Sequence, residues 1–206
     1  MSSKRKMRRR NPAAGQMLEV VHGPLPQSWH LKLPSEIREA MPGLHALMRD
    51  DPRAAVTELR ALIEREPSPI FYNWLSAAYS ALGEAEAVHD LVRENYRRNP
   101  HYLFARVNYA ELCIHDGDLA SAREALGSGF DLRPLLGGRK RAHISEVTGY
   151  FYAVGLYHLG AGDLDAAEQA YELLNNVAPD EPTTDELGRM LYARLRDVFS
   201  RLRSRL

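Results

Sequence analysis

The chain has 206 residues, of which 45% are hydrophobic and 26% are charged, a composition typical of one folded domain or two small ones. Its single cysteine, Cys113, excludes an intrachain disulfide and a cysteine-based zinc site built from this chain alone. No apolar run approaches the roughly 20 residues that a membrane-spanning helix needs, and we expect a cytoplasmic protein.

The formal net charge of zero conceals a separation of charge along the chain. Residues 1–10 contain six basic residues and no acidic one, and residues 189–206 contain six arginines against Asp197. The 15 basic and 26 acidic residues between them give a net charge of −11. Basic ends of this kind are typical of segments that meet nucleic acid, lipid or an acidic protein. The basic positions of interest are Lys4, Arg5, Lys6, Arg8, Arg9, Arg10, Arg189, Arg196 and Arg203.

The N-terminal part of the chain is predicted to lack helices. Residues 1–15 are predicted to be a disordered basic tail, either merely solvated or binding phosphate groups without base stacking, since residues 1–10 contain no aromatic side chain. Residues 16–34 are punctuated by proline, which predicts an extended arm. Trp29, Leu31 and Leu33 alternate, so we expect this arm to lie against the first helical hairpin.

A first, imperfect hairpin is predicted over residues 36–67. Asp51 and Pro52 are typical of a helix start, with the acid as N-cap and the proline at the first helical position. A preceding helix is predicted over residues 35–48, and we expect Pro42 to interrupt it.

Three units with related spacing follow. In each unit a glycine precedes a proline by 17 residues, and the third unit is displaced by 11 additional residues. The glycines are Gly83, Gly117 and Gly162, and the prolines are Pro100, Pro134 and Pro179. The segments 117–122 and 162–167 read GDLASA and GDLDAA. The aligned units are 69–102, 103–136 and 148–181.

This spacing predicts one helical hairpin per unit. The glycine ends the first helix because it readily adopts positive φ, and the acidic residue after it favours the start of the second helix. The proline ends the unit because it cannot continue a helix without losing a hydrogen bond. Small residues such as Ala122 and Ala167 let the two helices approach closely. Because a single hairpin cannot bury its apolar face, neighbouring units must stack.

The pattern resembles that of the tetratricopeptide repeat (TPR) family over about half of the chain. The third unit matches at Phe151, Gly155, Gly162, Ala167, Tyr171 and Pro179. The first unit matches at Tyr72, Leu75, Tyr79, Gly83 and Pro100. The second unit matches at Gly117, Ala122 and Pro134 and departs from the pattern at Ala110 and Cys113. The resemblance implies an all-α fold in which residues 35–182 form a right-handed α-solenoid.

The resemblance also implies a groove lined by the first helix of each unit, which receives an extended or helical partner segment. By offset, the groove residues are Ile70, Asn73, Ala77, Phe104, Val107, Asn108, Glu111, His115, Tyr152 and Leu156. Asn108 matches the family's frequent asparagine, whose amide can pair with a peptide backbone. Uncharged residues stand where a chaperone-tail-binding subgroup carries lysines and arginine, so a carboxylate clamp is not expected. Alternatively, the arm or the C-terminal helix of the same chain covers the groove.

The C-terminal segment 183–206 is predicted to be a basic amphipathic helix. Thr183 and Glu186 have the spacing of a capping box. Apolar residues then follow at helical spacing on one face, at Leu187, Leu191, Leu195, Val198, Leu202 and Leu206. This pattern favours a helix that caps the last hairpin. The alternatives are a helix that docks on a partner, a short homodimer seam or an interfacial membrane helix.

No pattern in the sequence indicates catalysis. The eight histidines are scattered without metal-ligand spacing, and no phosphate-binding or nucleophile motif is present, so neither a metal nor another cofactor is expected. Cys113 and His158 fall at packing positions of their units. The sequence therefore favours a non-catalytic adaptor, scaffold or chaperone-like module that binds a protein or peptide. The alternative is a factor that binds nucleic acid or the ribosome through its basic ends.

Overall fold

The computed structural model describes residues 18–23, 25 and 32–203. Over these residues the fold is all-α, with nine α-helices and one two-stranded sheet. The helices are α1 (Ser35–Asp50), α2 (Pro52–Arg65), α3 (Pro69–Ala81), α4 (Ala85–Arg98), α5 (Leu103–His115), α6 (Leu119–Leu126), α7 (Ile144–Ala161), α8 (Leu164–Val177) and α9 (Pro182–Arg203). The strands are β1 (Glu19–Val21) and β2 (Arg141–His143), and a 3-10 helix spans Arg133–Leu136.

The helices pack in the order in which they occur along the chain. Short connections join α1 with α2, α3 with α4, α5 with α6 and α7 with α8 into four hairpins, and each helix contacts the next. The odd-numbered helices also form a row, in which α3 contacts α1 and α5, and α7 contacts α5 and α9. The row places side chains from α3, α5, α7 and α9 next to one another.

The turns inside the three predicted units form as the spacing predicts. Gly83, Gly117 and Gly162 all have positive φ, at 75°, 80° and 76°. Asp118 and Asp163 are the N-cap residues of α6 and α8. Their side chains accept hydrogen bonds of 3.0 and 3.2 Å from backbone N–H groups three residues later. The glycine and the acidic cap each act within a few residues of the chain, so these turns can be predicted from the sequence alone.

The first hairpin differs from its prediction at Pro42. Asp51 caps α2 as expected, accepting a 3.0 Å hydrogen bond from the backbone N–H of Ala54. However, Pro42 lies inside α1 and does not interrupt it, so that prediction is wrong. Pro42 is exposed, whereas Ile37 is buried and Leu44 is half-buried against α2 and α3. The apolar face of α1 therefore holds the helix together although one backbone hydrogen bond is lost.

The second unit ends earlier than predicted. Helix α6 stops at Leu126, before Gly127, which has a φ of 84°, and Pro134 lies eight residues further on in the 3-10 helix. The last carbonyls of α6 accept hydrogen bonds from side chains. The Arg106 guanidinium donates to two of them at 2.7 and 3.0 Å, and the buried Tyr150 hydroxyl donates to a third at 2.9 Å. These side-chain hydrogen bonds stabilise the end of α6, which no proline terminates.

The N-terminal arm pairs with the additional residues of the third unit. Strand β1 lies parallel to β2, with Glu19 opposite Arg141 and an ion pair of 3.3 Å between their side chains. This contact was not predicted, because the arm was expected to lie against the first hairpin. Leu33 is buried there, in the core of α1 to α4. Trp29 and Leu31 lie outside the described residues.

A buried ion pair fixes β2 at the start of α7. The Glu146 carboxylate, with 1% of its side chain exposed, accepts hydrogen bonds of 2.7 and 3.1 Å from the Arg139 guanidinium. It also accepts a 2.9 Å hydrogen bond from the backbone N–H of His143, which caps α7. The carboxylate therefore ties the loop before β2, the end of β2 and the first turn of α7 together.

The core divides into three apolar clusters. The first cluster is formed by the four helices from α1 to α4. The second is formed by α5, α6 and α7 with the loop that follows α6, and the third by α7, α8 and α9. Ala122 and Ala167 are fully buried, which agrees with the predicted close approach of paired helices. Cys113 is buried, and His158 is half-buried against the ring of Phe130 at a centroid distance of 4.7 Å.

Helix α9 packs on the last hairpin through one face. Leu187 and Leu191 are fully buried there, as the predicted capping helix requires. The predicted capping box is wrong, because α9 begins at Pro182 and places Thr183 inside the helix. Thr184, the next residue, is buried, and its hydroxyl donates a 2.8 Å hydrogen bond to the carbonyl of Ala178. Among the described helices, none combines the length and apolar character needed to cross a bilayer.

Candidate functional site

The residues predicted to line a groove lie on three helices of the odd-numbered row. Helix α3 carries Ile70, Asn73 and Ala77, α5 carries Phe104, Val107, Asn108, Glu111 and His115, and α7 carries Tyr152 and Leu156. Five of them are half-buried and contribute to one surface, which we call the odd-helix surface: Asn73, Phe104, Asn108, Glu111 and Tyr152. Leu156 is half-buried against the apolar cluster of α7, α8 and α9.

The remaining predicted groove residues have other positions. Val107 is buried in the core between α5 and α7, with 3% of its surface exposed, so its side chain is not available to a partner. Ile70 packs against the core of the first two hairpins. His115 is exposed at the end of α5, where its ring lies 6.4 Å from that of His89 on α4, and Ala77 is exposed on α3.

A chain of asparagine side chains runs from the end of α4 to the odd-helix surface. The Asn95 amide donates hydrogen bonds of 2.7 Å to Asn73 Oδ1 and 3.1 Å to the carbonyl of Pro69. Asn99 donates 2.9 Å to Asn95 Oδ1, and Asn108 donates 3.4 Å to Asn73 Oδ1. Asn95 is almost completely buried, so its contacts orient the Asn73 amide from below the surface.

These hydrogen bonds determine which polar atoms of Asn73 and Asn108 are left for other contacts. The oxygen of Asn73 accepts from two other asparagines, which directs its amide nitrogen away from them. Asn108 donates with its nitrogen, and its oxygen takes no part in this bond. The pair therefore presents one donor and one acceptor, the combination that a peptide backbone group requires.

Two carboxylates approach each other beside Tyr152. Burial, followed by the nearby Glu186 carboxylate of α9, raises the pKa of Glu111 to about 7. Burial and a hydrogen bond to Glu186 raise the pKa of the Tyr152 hydroxyl well above its usual range, so the hydroxyl donates to Glu186. Glu111, Tyr152 and Glu186 come from three helices, and Arg189 of α9 is near enough to Tyr152 to lower its pKa, so a cation accompanies the two carboxyl groups at this end of the odd-helix surface.

A glycine lies beside the aromatic part of the odd-helix surface. A Cβ atom added to Gly149 would lie 4.0 Å from Cε1 of Phe104 and 3.9 Å from Cγ1 of Val107. The Phe104 ring also packs against the Tyr102 ring, with a centroid distance of 5.8 Å. The backbone of α7 at Gly149 therefore lies close to the Phe104 ring, with no side chain between them.

Sequence reasoning missed two residues of this site. Glu186 was assigned a capping role from its spacing to Thr183, and only the packing of α9 on α7 brings it to Tyr152. Asn95 lies on a second helix, where no groove residue was expected. In the sequence Asn95 precedes Asn99 by four residues, the spacing of side chains on one face of a helix. This spacing was the available signal that Asn95 joins Asn99 and Asn73 in one network.

The chemistry of reactive groups in the described chain does not converge on one site. Burial raises the pKa of the Cys113 thiol, which disfavours the thiolate. Burial lowers the pKa of His158, while the nearby Asp163 carboxylate partly opposes this shift. Among the described residues, no group of three or more histidine, cysteine or acidic side chains is arranged to hold a metal ion.

The basic positions are only partly within the described chain. Lys4, Arg5, Lys6, Arg8, Arg9 and Arg10 lie outside it. Arg189, Arg196 and Arg203 are exposed on α9. Comparisons with protein-family models, with curated proteins and with solved structures find no match to this chain. The resemblance of the sequence to the TPR family therefore stays a prediction.

Proposed function

We propose that this chain is a non-catalytic protein-interaction module of the cytoplasm that holds a partner segment on the odd-helix surface. In this proposal the four hairpins form a short TPR-like solenoid, capped by α9, and the row of odd-numbered helices lines its concave side. The contacts between successive odd-numbered helices and the sequential packing of hairpins support this arrangement.

The observation that carries the proposal is the asparagine pair. Asn73 and Asn108 come from neighbouring hairpins and are joined by a hydrogen bond that uses the oxygen of Asn73 and the nitrogen of Asn108, so the other atom of each amide can pair with a partner. Asn95 orients the pair through a buried contact. The buried Asn95 side chain already restricts the conformation of the half-exposed Asn73 amide in the free protein. Binding a partner therefore costs less side-chain entropy at this position.

The surroundings of the pair favour an apolar partner segment that carries a positive charge. Phe104 supplies apolar area, while the exposed Glu186 supplies a carboxylate and Glu111, whose pKa is raised to about 7, carries only part of a negative charge at neutral pH. A segment that ends in a free carboxylate would meet this acidic end unfavourably. The proposed partner is therefore an internal peptide segment of mixed apolar and basic character, in either extended or helical form.

The test uses a phage-displayed library of random peptides of about 12 residues, selected against the full chain. We expect enriched peptides whose binding falls at least tenfold when Asn108→Ala and Phe104→Ala are combined. The matched control combines Glu168→Ala and Gln169→Ala, which changes two exposed positions on α8. Absence of enriched peptides, or peptides that bind both double variants equally well, would contradict the proposal.

A further inference from the structure

A groove between α2 and α4 lies on a different face of α3 from the odd-helix surface. It has a volume of about 490 Å³, and we call it the α2–α4 groove. Its floor is α3, which presents Tyr72, Leu75 and Tyr79 at steps of three and four residues. Ile63 on α2 and Leu91 on α4, both half-buried, line its two walls. The groove therefore offers apolar contact from three helices.

The floor of the α2–α4 groove contains two hydroxyl groups that lack hydrogen-bond partners. Tyr72 and Tyr79 are 4% and 5% exposed, and neither hydroxyl is hydrogen-bonded within the described part of the chain. No side-chain oxygen or nitrogen of the described residues is both unpaired and sealed from solvent, so both hydroxyls retain access to solvent. The groove is the opening that both residues line. Because a mostly buried hydroxyl without a partner costs free energy, the two groups favour a ligand that brings polar atoms to this floor.

Two carboxylates without a cation partner border the same groove. Glu64 on α2 and Asp90 on α4 are exposed, and neither forms an ion pair with another described residue. A third carboxylate of the lining, that of Glu94, is already paired with Arg97 and Arg98. Each wall of the α2–α4 groove therefore carries one uncompensated negative charge.

One cation of the chain itself already lies against the floor of this groove. The Arg60 guanidinium lies over the Tyr79 ring, with its Cζ atom 5.6 Å from the ring centroid, a favourable contact of a cation with an aromatic face. Tyr72 is two helical turns away, roughly 10 Å along α3, and no described cation lies over its ring. The neighbouring Arg98 guanidinium is bonded to Glu94. The Tyr72 end of the groove therefore has the same chemistry but no cation of its own.

We propose that the α2–α4 groove binds a segment of a partner protein that presents a lysine or arginine among apolar side chains. The apolar side chains of the segment pack between the two walls, and Glu64 and Asp90 hold its cationic group by charge complementarity. The Tyr72 hydroxyl accepts a hydrogen bond from that group, since ammonium and guanidinium groups only donate. This interaction is additional to the one proposed for the odd-helix surface.

The composition of the groove distinguishes this partner from simpler ligands. Nucleic acid or an acidic protein would be repelled by Glu64 and Asp90. A purely apolar segment would leave the hydroxyls and the carboxylates without partners, and a small polyamine would leave Ile63 and Leu91 in contact with water. A segment with both kinds of side chain satisfies the walls and the floor together.

The test measures binding of a fluorescein-labelled peptide to the full chain by fluorescence polarisation. The peptide has about 12 residues, built from alanine, leucine and lysine at helical spacing, and a companion peptide carries glutamine in place of each lysine. We expect the lysine peptide to bind about tenfold more tightly than the glutamine peptide, and its binding to weaken as salt rises. Equal binding of the two peptides would overturn the proposal.

A matched pair of charge reversals on α2 locates the bound peptide. Glu64→Lys and Glu58→Lys change two exposed positions of one helix, but Glu58 lies on another face and does not line the α2–α4 groove. We expect Glu64→Lys to weaken binding of the lysine peptide about tenfold and Glu58→Lys to weaken it less than about threefold. Equal losses would reduce the interaction to general attraction of a basic peptide to an acidic chain and overturn the proposal.

Tyr72→Phe tests the hydroxyl while it keeps the ring. Because this hydroxyl has no partner in the described chain, thermal unfolding of the variant should match that of the unmodified chain, whereas binding of the lysine peptide should weaken about threefold or more. A variant that loses stability but binds the peptide normally would mean that the hydroxyl serves the fold and not the ligand, which contradicts the proposal.

The odd-helix surface is tested separately in the same assay. The combination of Asn108→Ala and Phe104→Ala should leave binding of the lysine peptide unchanged, because neither residue lines the α2–α4 groove. A loss in this double variant without a loss in Glu64→Lys would assign the peptide to the odd-helix surface and overturn the present inference. Failure to bind the peptide, combined with a dimer in sedimentation that Glu64→Lys dissociates, would assign the groove to a second copy of the chain and likewise overturn it.

Discussion

Asn95 on α4 donates a 2.7 Å hydrogen bond to Oδ1 of Asn73 on α3, and so a buried side chain orients a half-exposed one. The two helices form one hairpin, and the bond crosses their interface. Asn73 in turn accepts from Asn108 on the next hairpin. The contact therefore belongs both to the stability of the hairpin and to the geometry of the odd-helix surface.

Removing Asn95 should destabilise the fold more than removing its neighbour in the same network. Asn95→Ala deletes two donated hydrogen bonds and one accepted bond, and leaves partners unpaired in a buried site, so we expect a loss of about 2 kcal/mol in the free energy of unfolding. Asn99→Ala removes one donated bond from a half-buried residue and should cost less than about 1 kcal/mol. Urea denaturation measures both values, and equal losses would contradict this account.

The raised pKa of Glu111 predicts that stability falls as pH rises through the weakly acidic range. A glutamate in the unfolded chain has its ordinary pKa of 4.5, whereas the pKa of Glu111 in the folded chain is raised to about 7. Between these values the native state holds a proton that the unfolded state has lost, so its stabilising contribution is complete at acid pH and gone above about pH 7. At about 1.4 kcal/mol per pKa unit, the contribution reaches about 3 kcal/mol at most.

The measurement for Glu111 compares urea denaturation at about pH 5 and pH 8 for the unmodified chain and for Glu111→Gln. The unmodified chain should lose more stability between the two pH values than the variant, which carries no titratable group at this position. Glu186→Gln should reduce the loss only in part, because burial contributes more than Glu186 to the raised pKa of Glu111. Identical pH dependence in the unmodified chain and Glu111→Gln would exclude this role for Glu111.

Local signals in the sequence were sufficient for the turn inside each of the three units, although not for the end of the second unit. A glycine at positive φ followed by an acidic cap acts over a few residues, which is why Gly117 with Asp118 and Gly162 with Asp163 could be predicted. Pro42 shows where local reasoning fails. The cost of a proline in a helix is local, but the burial that outweighs it comes from packing against other helices.

Contacts between distant segments could not be predicted from the same patterns. Strand β1 has three residues and pairs with residues more than a hundred positions later, so it lacks the alternation that marks a longer strand. Glu186 joins Glu111 and Tyr152 only because three helices meet. The helices were readable from periodicity, whereas the acidic end of the odd-helix surface depends on tertiary packing.

Two glycines of α7 should respond in opposite directions to the same substitution. A Cβ atom added to Gly155 would lie 2.5 Å from Cδ2 and 3.2 Å from Cγ of Leu187, so Gly155→Ala must displace the fully buried Leu187 side chain of α9. We expect a loss of about 1–3 kcal/mol in the free energy of unfolding. At Gly149 the nearest atoms would be 3.9 Å away, an ordinary contact, and alanine favours the helix by up to about 1 kcal/mol.

Thermal and urea denaturation of Gly155→Ala and Gly149→Ala test this difference directly. Both variants add one methyl group to the same helix, so helix propensity is matched and only the surroundings of the methyl group differ. A Gly155→Ala variant as stable as Gly149→Ala would mean that α9 does not pack against α7 as closely as the contact between Gly155 and Leu187 requires.

The buried Arg139–Glu146 pair should control how firmly the N-terminal strand is held. Arg139→Met removes the cation that pairs with the buried Glu146 carboxylate, and because the Arg139 side chain is 32% exposed we expect a cost of about 1–3 kcal/mol. Because the same carboxylate binds the backbone of His143 at the end of β2, the loss should also loosen the β1–β2 pairing. Cleavage after Glu19 by a glutamate-specific protease should therefore be faster in Arg139→Met than in the unmodified chain.

Two further variants separate the ion pair from general disturbance of this loop. Arg133→Met removes an arginine from the same loop, but Arg133 is exposed and its partner Asp131 is at the surface, so cleavage after Glu19 should change little. The double variant Arg139→Met with Glu146→Leu removes both charges and should recover much of the lost stability. If Arg139→Met alone leaves both cleavage and stability unchanged, the ion pair does not hold the strand, and the apolar contacts of Leu18 and Val20 with the core hold it instead.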